Sequence, residues 1–146
     1  MLLINDFLRV IFDTNVLVAA ARSRRGASYQ LISMLPSPKF ELAISSSLYF
    51  EYLDVLLRPE IRPHGLTDAE IVDVVNEITN AAHYQSIFFR WRPWLKDEKD
   101  DMILELAIAS QSSYIVTFNL KDFRNIELFG IEAITPKDFL ELAGSL

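Results

Sequence analysis

Tyr114-Ile115-Val116-Thr117-Phe118, followed by Asn119, is the clearest strand signal in the chain, because every residue of the run is β-branched or aromatic. A shorter run, Val10-Ile11-Phe12, lies near the amino terminus and is followed directly by Asp13. Short apolar runs alternate with helical patterns along the rest of the chain. This alternation predicts an α/β protein, a three-layer α/β/α sandwich around a mostly parallel central sheet.

Capping residues and prolines indicate the other elements. Thr67 and Glu70 match the capping box that opens a helix, and Pro136 suits the first position of another. Pro36 and Pro59 mark the ends of two earlier helices. The pattern predicts helices over residues 16–21, 28–35, 45–57, 67–82 and 97–110 and from 136 onward, with further strands over 40–44, 87–89 and 133–135.

Length and composition favour one folded domain over residues 1–146. The chain is 51% hydrophobic and 23% charged, which is too apolar for a disordered protein. It has no cysteine, which excludes disulfides, thiolate catalysis and zinc sites that need cysteine. Its glycines, at positions 26, 65, 130 and 144, fit neither common glycine-rich phosphate loop.

The net charge of −6 argues against a broadly basic nucleic-acid-binding protein, while a local basic patch is still compatible with it. No stretch reaches the roughly 18 apolar residues that a membrane span needs. The amino-terminal segment lacks the basic region and cleavage site of a signal peptide. We therefore expect a cytoplasmic protein that does not associate with membranes.

Two polar residues follow the predicted strands directly. Asp13 ends the first strand and Asn119 ends the strand at 114–118, and in open α/β sheets ligands bind beyond such carboxyl ends. If the two strands are neighbours, Asp13 and Asn119 face each other, and Asp122 could join them. Asp13 is equally well explained as the cap of the following helix, and Asn119 as a turn residue.

Two further acids lie on predicted helices. Glu51 shares a face with the apolar residues Leu48 and Val55, although its flexible stem could also reach water. Asp100 has apolar residues three, four and seven positions later, so it is predicted to point inward. Asp101 has Glu105 four positions later and is predicted to point outward. Acids in a first helical turn also interact favourably with the helix dipole, whatever their direction.

Convergence of Asp13, Glu51 and Asp100 would have a chemical consequence. Two carboxylates about 4 Å apart repel each other by roughly 4 kcal/mol at an effective dielectric near 20, so such a group takes up protons or binds cations. Oxygen ligands without cysteine or histidine suit Mg²⁺ or Mn²⁺. Such an ion supports phosphodiester hydrolysis. The two histidines, His64 and His83, lie outside these groups.

The ordered motifs resemble those of the PIN-domain ribonucleases. Residues 11–17, IFDTNVL, resemble the opening motif of that family, and residues 45–51 with 55–59 resemble the second acidic motif of its branch of toxins from toxin–antitoxin pairs. Residues 96–101, KDEKDD, with 104–107 and 114–117 resemble the third motif and the strand after it. The resemblance covers nearly the whole chain.

This resemblance implies a PIN-like fold and a Mg²⁺- or Mn²⁺-dependent endoribonuclease. Its metal-binding and catalytic residues would be Asp13, Glu51, Asp100 and Asn119, where Asn119 replaces the fourth acid that this branch often carries. That replacement removes one negative charge and weakens the case for two tightly held ions, and Phe118 before it replaces a common small residue. The resemblance also implies an RNA substrate, a cognate antitoxin as partner and a homodimer.

Substrate contacts are expected from polar and basic side chains. By motif position, Thr14, Asn15 and Thr117 would touch substrate or support the ligands, while a helix cap and an ordinary strand residue also explain Asn15 and Thr117. Basic residues follow two of the predicted helices, and we expect Arg22 and Arg25 to hold phosphates. The remaining candidates are Arg24, Arg58 and Arg62, and the loop with Arg90, Trp91, Arg92 and Trp94, whose aromatic rings could stack on bases.

Each set has a plainer alternative. The arginines could be solvated loop charges, and the aromatic loop could be a packed segment or a partner surface. A non-catalytic PIN-like domain that binds RNA or protein is the second functional hypothesis, favoured by Asn119 and the acidic net charge. A phosphatase of the haloacid-dehalogenase type is disfavoured, because its second acid would fall on Asn15.

Overall fold

A computed structural model describes residues 8–63, 65–88 and 94–146. Its strands are β1 (Leu8–Phe12), β2 (Phe40–Ile44), β3 (His83–Tyr84), β4 (Tyr114–Val116) and β5 (Glu132–Ile134). Its α-helices are α1 (Thr14–Arg22), α2 (Ala27–Ser33), α3 (Ser46–Leu56), α4 (Asp68–Asn80), α5 (Glu98–Ala109) and α6 (Pro136–Gly144). Short 3-10 turns occupy Leu120–Asp122 and Ile126–Phe129.

The strands form one sheet in the order β3-β2-β1-β4-β5, and every pair is parallel. The chain therefore adds β2 and β3 on one side of β1 and then adds β4 and β5 on its other side. Strand order reverses between β1 and β4, where Phe12 lies beside Val116. The predicted α/β class with a parallel sheet is confirmed, and the reversal lies between the two strands that end before Asp13 and Asn119.

Aromatic side chains pack the centre of the core. The rings of Phe12 and Phe40 are 6.2 Å apart between centroids, and Phe139 of α6 meets Phe40 edge-on at 5.1 Å. Tyr52 of α3 is fully buried and donates its hydroxyl to the main-chain oxygen of Phe12 at 2.6 Å. Because this bond joins α3 to the end of β1, it sets the position of the helix that carries Glu51.

The third strand lies earlier than the sequence pattern predicts. Residues 83 and 84 pair with the end of β2, and the N–H of Gln85 donates to Ile44 at 2.8 Å. Beyond that point β2 has ended and Ser45 caps α3, so Ile87 and Phe88 pair with no strand of the described ranges. Phe88 is 88% exposed. The predicted strand at 87–89 is thus wrong for 87 and 88, and Phe89 lies outside the described residues.

None of the helices in the described ranges is both long and apolar enough to cross a membrane. Five residues that the sequence analysis singled out, or that a predicted element contains, lie outside those ranges: His64, Phe89, Arg90, Trp91 and Arg92.

Candidate active site

Asp13 directly follows β1 and caps α1, so the helix-cap interpretation describes a real contact and the side chain also lies at the carboxyl end of the strand. One carboxylate oxygen accepts the N–H of Thr14 at 2.8 Å, and the other accepts the hydroxyl of Thr117 at 2.7 Å. The side chain is nearly buried, with 9% exposure. Each carboxylate oxygen keeps lone-pair capacity beyond these single bonds, so Asp13 is oriented without being saturated.

Thr117 connects the ends of β1 and β4. Its fully buried hydroxyl donates to Asp13 and accepts the N–H of Asn119 at 3.0 Å and the side-chain amide of Asn15 at 3.4 Å. Asn15 in turn accepts the N–H of Phe118 at 3.4 Å. The polar residues that the resemblance placed around the acids therefore hold the two strand ends together.

A cavity of about 210 Å³ lies at this edge of the sheet, and we call it the acid cavity. The four residues predicted as catalytic all line it, together with two of the predicted substrate contacts: Asp13, Glu51, Asp100, Asn119, Thr14 and Asn15. Asp122, which the sequence suggested as a further member, lines it as well. Side chains from four separate parts of the chain therefore meet at one place.

Lys99 is a member of the acid cavity that the sequence analysis missed. Its ammonium lies 3.8 Å from a carboxylate oxygen of Glu51, whose side chain is only 18% exposed. Asp97, Met102 and Ile103 also line the cavity. The KDEKDD stretch contained the signal, because Asp97, Lys99 and Asp100 lie at the cap and in the first turn of α5, where side chains tilt toward the amino end of the helix.

Burial and mutual repulsion perturb the carboxyl groups. Burial raises the pKa of Asp13, and the charges of Glu51 and Asp122 raise it further against the bonds from Thr117 and Thr14. Burial first, and then the charge of Asp13, raise the pKa of Asp100 to about 7. Carboxyl groups of this kind, next to a cavity, are typical of functional sites.

Asp101 is a correction to the sequence analysis. It is buried, with 3% exposure, and one of its oxygens accepts the N–H groups of Leu95 at 2.7 Å and Trp94 at 3.2 Å. Glu105, which suggested a solvated side, is buried as well. The helical period assigned the direction wrongly because it could not show that the preceding segment folds back and presents main-chain donors to this carboxylate.

The structure does not bring the predicted phosphate-binding arginines to the acid cavity. Arg22 ends α1, eight residues after Thr14, which places its backbone about 12 Å farther along the helix axis. Arg25 is exposed in the loop that follows. Arg58 pairs with Asp54, and Arg62 pairs with Asp68 and donates to Leu57. The two arginines after Glu51 are therefore already engaged in local structure.

The donor chemistry of the acid cavity fits a hard divalent cation. Its oxygens come from carboxylates and the side-chain amides of Asn15 and Asn119, and Thr14 contributes a buried hydroxyl that has no hydrogen-bond partner among the described residues. Within residues 8–63, 65–88 and 94–146, however, no three acidic or imidazole groups are close enough together to hold an ion as they stand. The residues fit in kind and location, and a bound ion would need them to move closer or to coordinate through water.

Comparisons with known proteins agree with this architecture. The sequence model of the PIN domain matches residues 9–121. The crystal structure of VapBC2 from Rickettsia felis, bound to a DNA fragment from their promoter, contains a chain that matches with a TM-score of 0.60 and 16% identity, over 88% of this chain and 98% of that one. At this identity the match shows the fold alone, and no curated protein matches the sequence. The resemblance stated from the motifs is confirmed, and the chain belongs to the PIN domain family.

Proposed function

We propose that the chain is a Mg²⁺- or Mn²⁺-dependent endoribonuclease and the toxin of a toxin–antitoxin pair. The observation that carries the proposal is the convergence of Asp13, Glu51, Asp100 and Asn119 on one cavity at the carboxyl edge of the sheet. This is where parallel α/β sheets bind ligands. The matching PIN domain model, which covers residues 9–121, supports a nuclease over other uses of an acidic cavity.

Asp13, Glu51, Asp100 and Asn119 would hold the ion, which when bound lowers the pKa of water and stabilises charge on a phosphate. Thr117 and the N–H of Thr14 keep the Asp13 carboxylate oriented into the cavity. Asp100, whose pKa burial raises to about 7, would bind the ion as the deprotonated carboxylate. Lys99, beside Glu51, is placed to hold a phosphate oxygen of the substrate.

The proposal extends to partners and location through the resemblance. A toxin of this kind would act in the cytoplasm, form a homodimer and be held inactive by a cognate antitoxin. Arg22 and Arg25 remain predicted phosphate contacts, reached by RNA that extends along α1. A small neighbouring reading frame that encodes a DNA-binding protein would support the antitoxin proposal.

The test is cleavage of single-stranded RNA by the purified protein. We expect cutting with Mn²⁺ and none with EDTA. Asp13→Asn should abolish cutting while thermal stability stays equal or rises, because the substitution removes one of several crowded charges. Asp73→Asn makes the same chemical change on the exposed side of α4 and should cut normally. Normal cutting by Asp13→Asn would refute the assignment.

The second candidate is a non-catalytic PIN domain that binds RNA or protein. It is favoured by Asn119, which stands where the related toxins often carry an acid and leaves the cavity with one fewer charge. Calorimetric titration with Mn²⁺ separates the two candidates. A dissociation constant for Mn²⁺ in the millimolar range or lower supports the nuclease, and the absence of binding supports the second candidate.

A further inference from the structure

A second and larger cavity adjoins the acid cavity, and we call it the Trp94 cavity. Its volume is about 520 Å³, and three acids line both cavities: Asp97, Asp100 and Asp122. The two spaces are therefore neighbours at the amino end of α5. Its other lining residues include Trp94, Lys96, Lys121 and Arg124.

The two cavities differ in volume and therefore in the size of ligand that each could hold. Pockets that enclose small organic ligands commonly measure about 300–1,000 Å³, so the acid cavity, at about 210 Å³, falls below that range. It has room for an ion, water and a phosphate group, whereas a whole nucleotide needs more space. The Trp94 cavity lies within the range. A strand with one phosphate in the acid cavity would thus place a neighbouring nucleotide in the Trp94 cavity.

The cations of the Trp94 cavity are free to bind a ligand. Lys121 and Arg124 are exposed, and neither makes a hydrogen bond or ion pair with any residue of the described ranges. Arg58 and Arg62, in contrast, are engaged by acids of their own. Unpaired cations beside a group of carboxylates suit an anion that must lie close to those carboxylates, and a phosphodiester is such an anion.

Trp94 supplies the apolar part of this cavity. Its indole packs edge-on against Phe129, with 5.2 Å between ring centroids, while 45% of the residue is exposed. The buried Asp101 accepts the N–H of Trp94 and of Leu95, which ties the segment to α5. The ring is thus held at the cavity wall before any ligand arrives, which lowers the entropic cost of stacking a base on it.

We propose that the Trp94 cavity is a nucleotide subsite for single-stranded RNA, in which Trp94 stacks on a base and Lys121 and Arg124 hold its phosphate. This inference rests on the proposed function, because it takes RNA to be the strand that enters the acid cavity. It assigns to Trp94, Lys121 and Arg124 the binding of one unpaired nucleotide beside the bond that is cut. It also assigns Asp101 the role of positioning Trp94.

The test is binding of a fluorescently labelled RNA of about eight nucleotides, a length that single-strand sites cover. Anisotropy is measured in Mg²⁺ with Asp13→Asn as the parent, so that the RNA stays intact. Trp94→Ala should weaken binding about 5- to 150-fold, and Trp94→Phe should restore most of the affinity. Lys121→Ala and Arg124→Ala should each make the negative slope of log affinity against log salt less steep, by up to about 0.7.

Lys39→Ala is the matched control for charge. Lys39 is exposed and immediately precedes β2, so it lies at the opposite edge of the sheet from both cavities, and its removal should leave affinity and salt slope unchanged. Thermal melts of every variant exclude loss of folding as the cause of weaker binding.

The possible outcomes distinguish a failure of the subsite proposal from a failure of the nuclease proposal. If the unsubstituted protein cuts RNA while the Trp94, Lys121 and Arg124 variants bind like their parent, the subsite is wrong and the nuclease stands. If it does not cut RNA and these variants still bind less RNA than the parent, the subsite stands and the nuclease is wrong. If the parent binds no RNA at all, the subsite is wrong.

Discussion

Replacing Asp100 with asparagine is expected to stabilise the metal-free protein at alkaline pH. Burial, and then the charge of Asp13, raise the pKa of Asp100 to about 7. The Asp100 side chain makes no hydrogen bond with the described residues, so the amide removes a charge and little else. The ionised carboxylate is therefore a source of instability whenever no cation is present to compensate it.

The direction of the pH dependence of stability follows from the number of protons that the folded and unfolded chains bind. The unfolded chain ionises Asp100 near 3.8, whereas the folded chain keeps the proton up to about pH 7. The folded state is the more protonated one in this window, so the free energy of unfolding falls as the pH rises through it and stays low above about pH 7. The native protein thus loses stability toward alkaline pH on account of this group.

The expected increase in the free energy of unfolding of Asp100→Asn is modest. A shift of this size corresponds to at most about 4 kcal/mol, and partial exposure to solvent reduces it to about 1–2 kcal/mol. The carboxylate also interacts favourably with the amino end of α5, which offsets about 0.3–1 kcal/mol. The net gain for Asp100→Asn is about 1 kcal/mol, which raises Tm by about 2–4 °C in a chain of this length.

Thermal unfolding in EDTA measures this difference at about pH 8 and about pH 5, where the electrostatic gain should shrink to about a third. Asp73→Asn on exposed α4 is the control and should leave Tm unchanged. Mg²⁺ should raise the Tm of the unsubstituted protein more than that of Asp100→Asn. Equal Tm values for the unsubstituted protein and Asp100→Asn in EDTA at the higher pH would refute the electrostatic reasoning.

Three further predictions follow from the site. Thr117→Val removes the hydroxyl that orients Asp13, so we expect a loss of about 1–3 kcal/mol in thermal unfolding and slower RNA cleavage, with Thr117→Ser close to normal in both. Asp101→Ala leaves two main-chain N–H groups without their acceptor, so urea unfolding should show a similar loss, and Asp101→Asn should recover most of it. Mn²⁺ affinity measured by calorimetry should rise up to about tenfold per pH unit below the pKa of Asp100 and level off above it, and a flat profile would contradict competition between proton and ion.

The sequence located most of the candidate site because topology decides where strand ends lie. Asp13 and Asn119 each follow a strand, and parallel strands bring their carboxyl ends to the same edge. Glu51 was harder to assign, because its direction depends on Tyr52, whose buried hydroxyl joins α3 to the end of β1. The apolar face of α3 was visible in the pattern, and the hydrogen bond that fixes its position was not.

The two wrong predictions, the direction of Asp101 and the strand at 87–89, have local causes. Asp101 lies on a helix next to Asp100, and the helical period separates two such neighbours without indicating which one meets a donor. The donors for Asp101 are main-chain N–H groups of residues 94 and 95, whose return toward α5 leaves no trace in side-chain hydropathy. The third strand was misplaced because apolar content suggested 87–89, whereas the partner available on β2 ends at Ile44.

The sheet order has a consequence for synthesis of the chain on the ribosome. Thr117 and Asp13 are 104 residues apart, and they become neighbours only when β4 inserts beside β1. A nascent chain that ends before β4 has β1 with one flank bare, and its Asp13 has no hydroxyl to orient it. The proposed catalytic centre is thus complete only after β4 has been synthesised, so shorter nascent polypeptides would lack the hydrogen bond that orients Asp13 and would not cleave RNA.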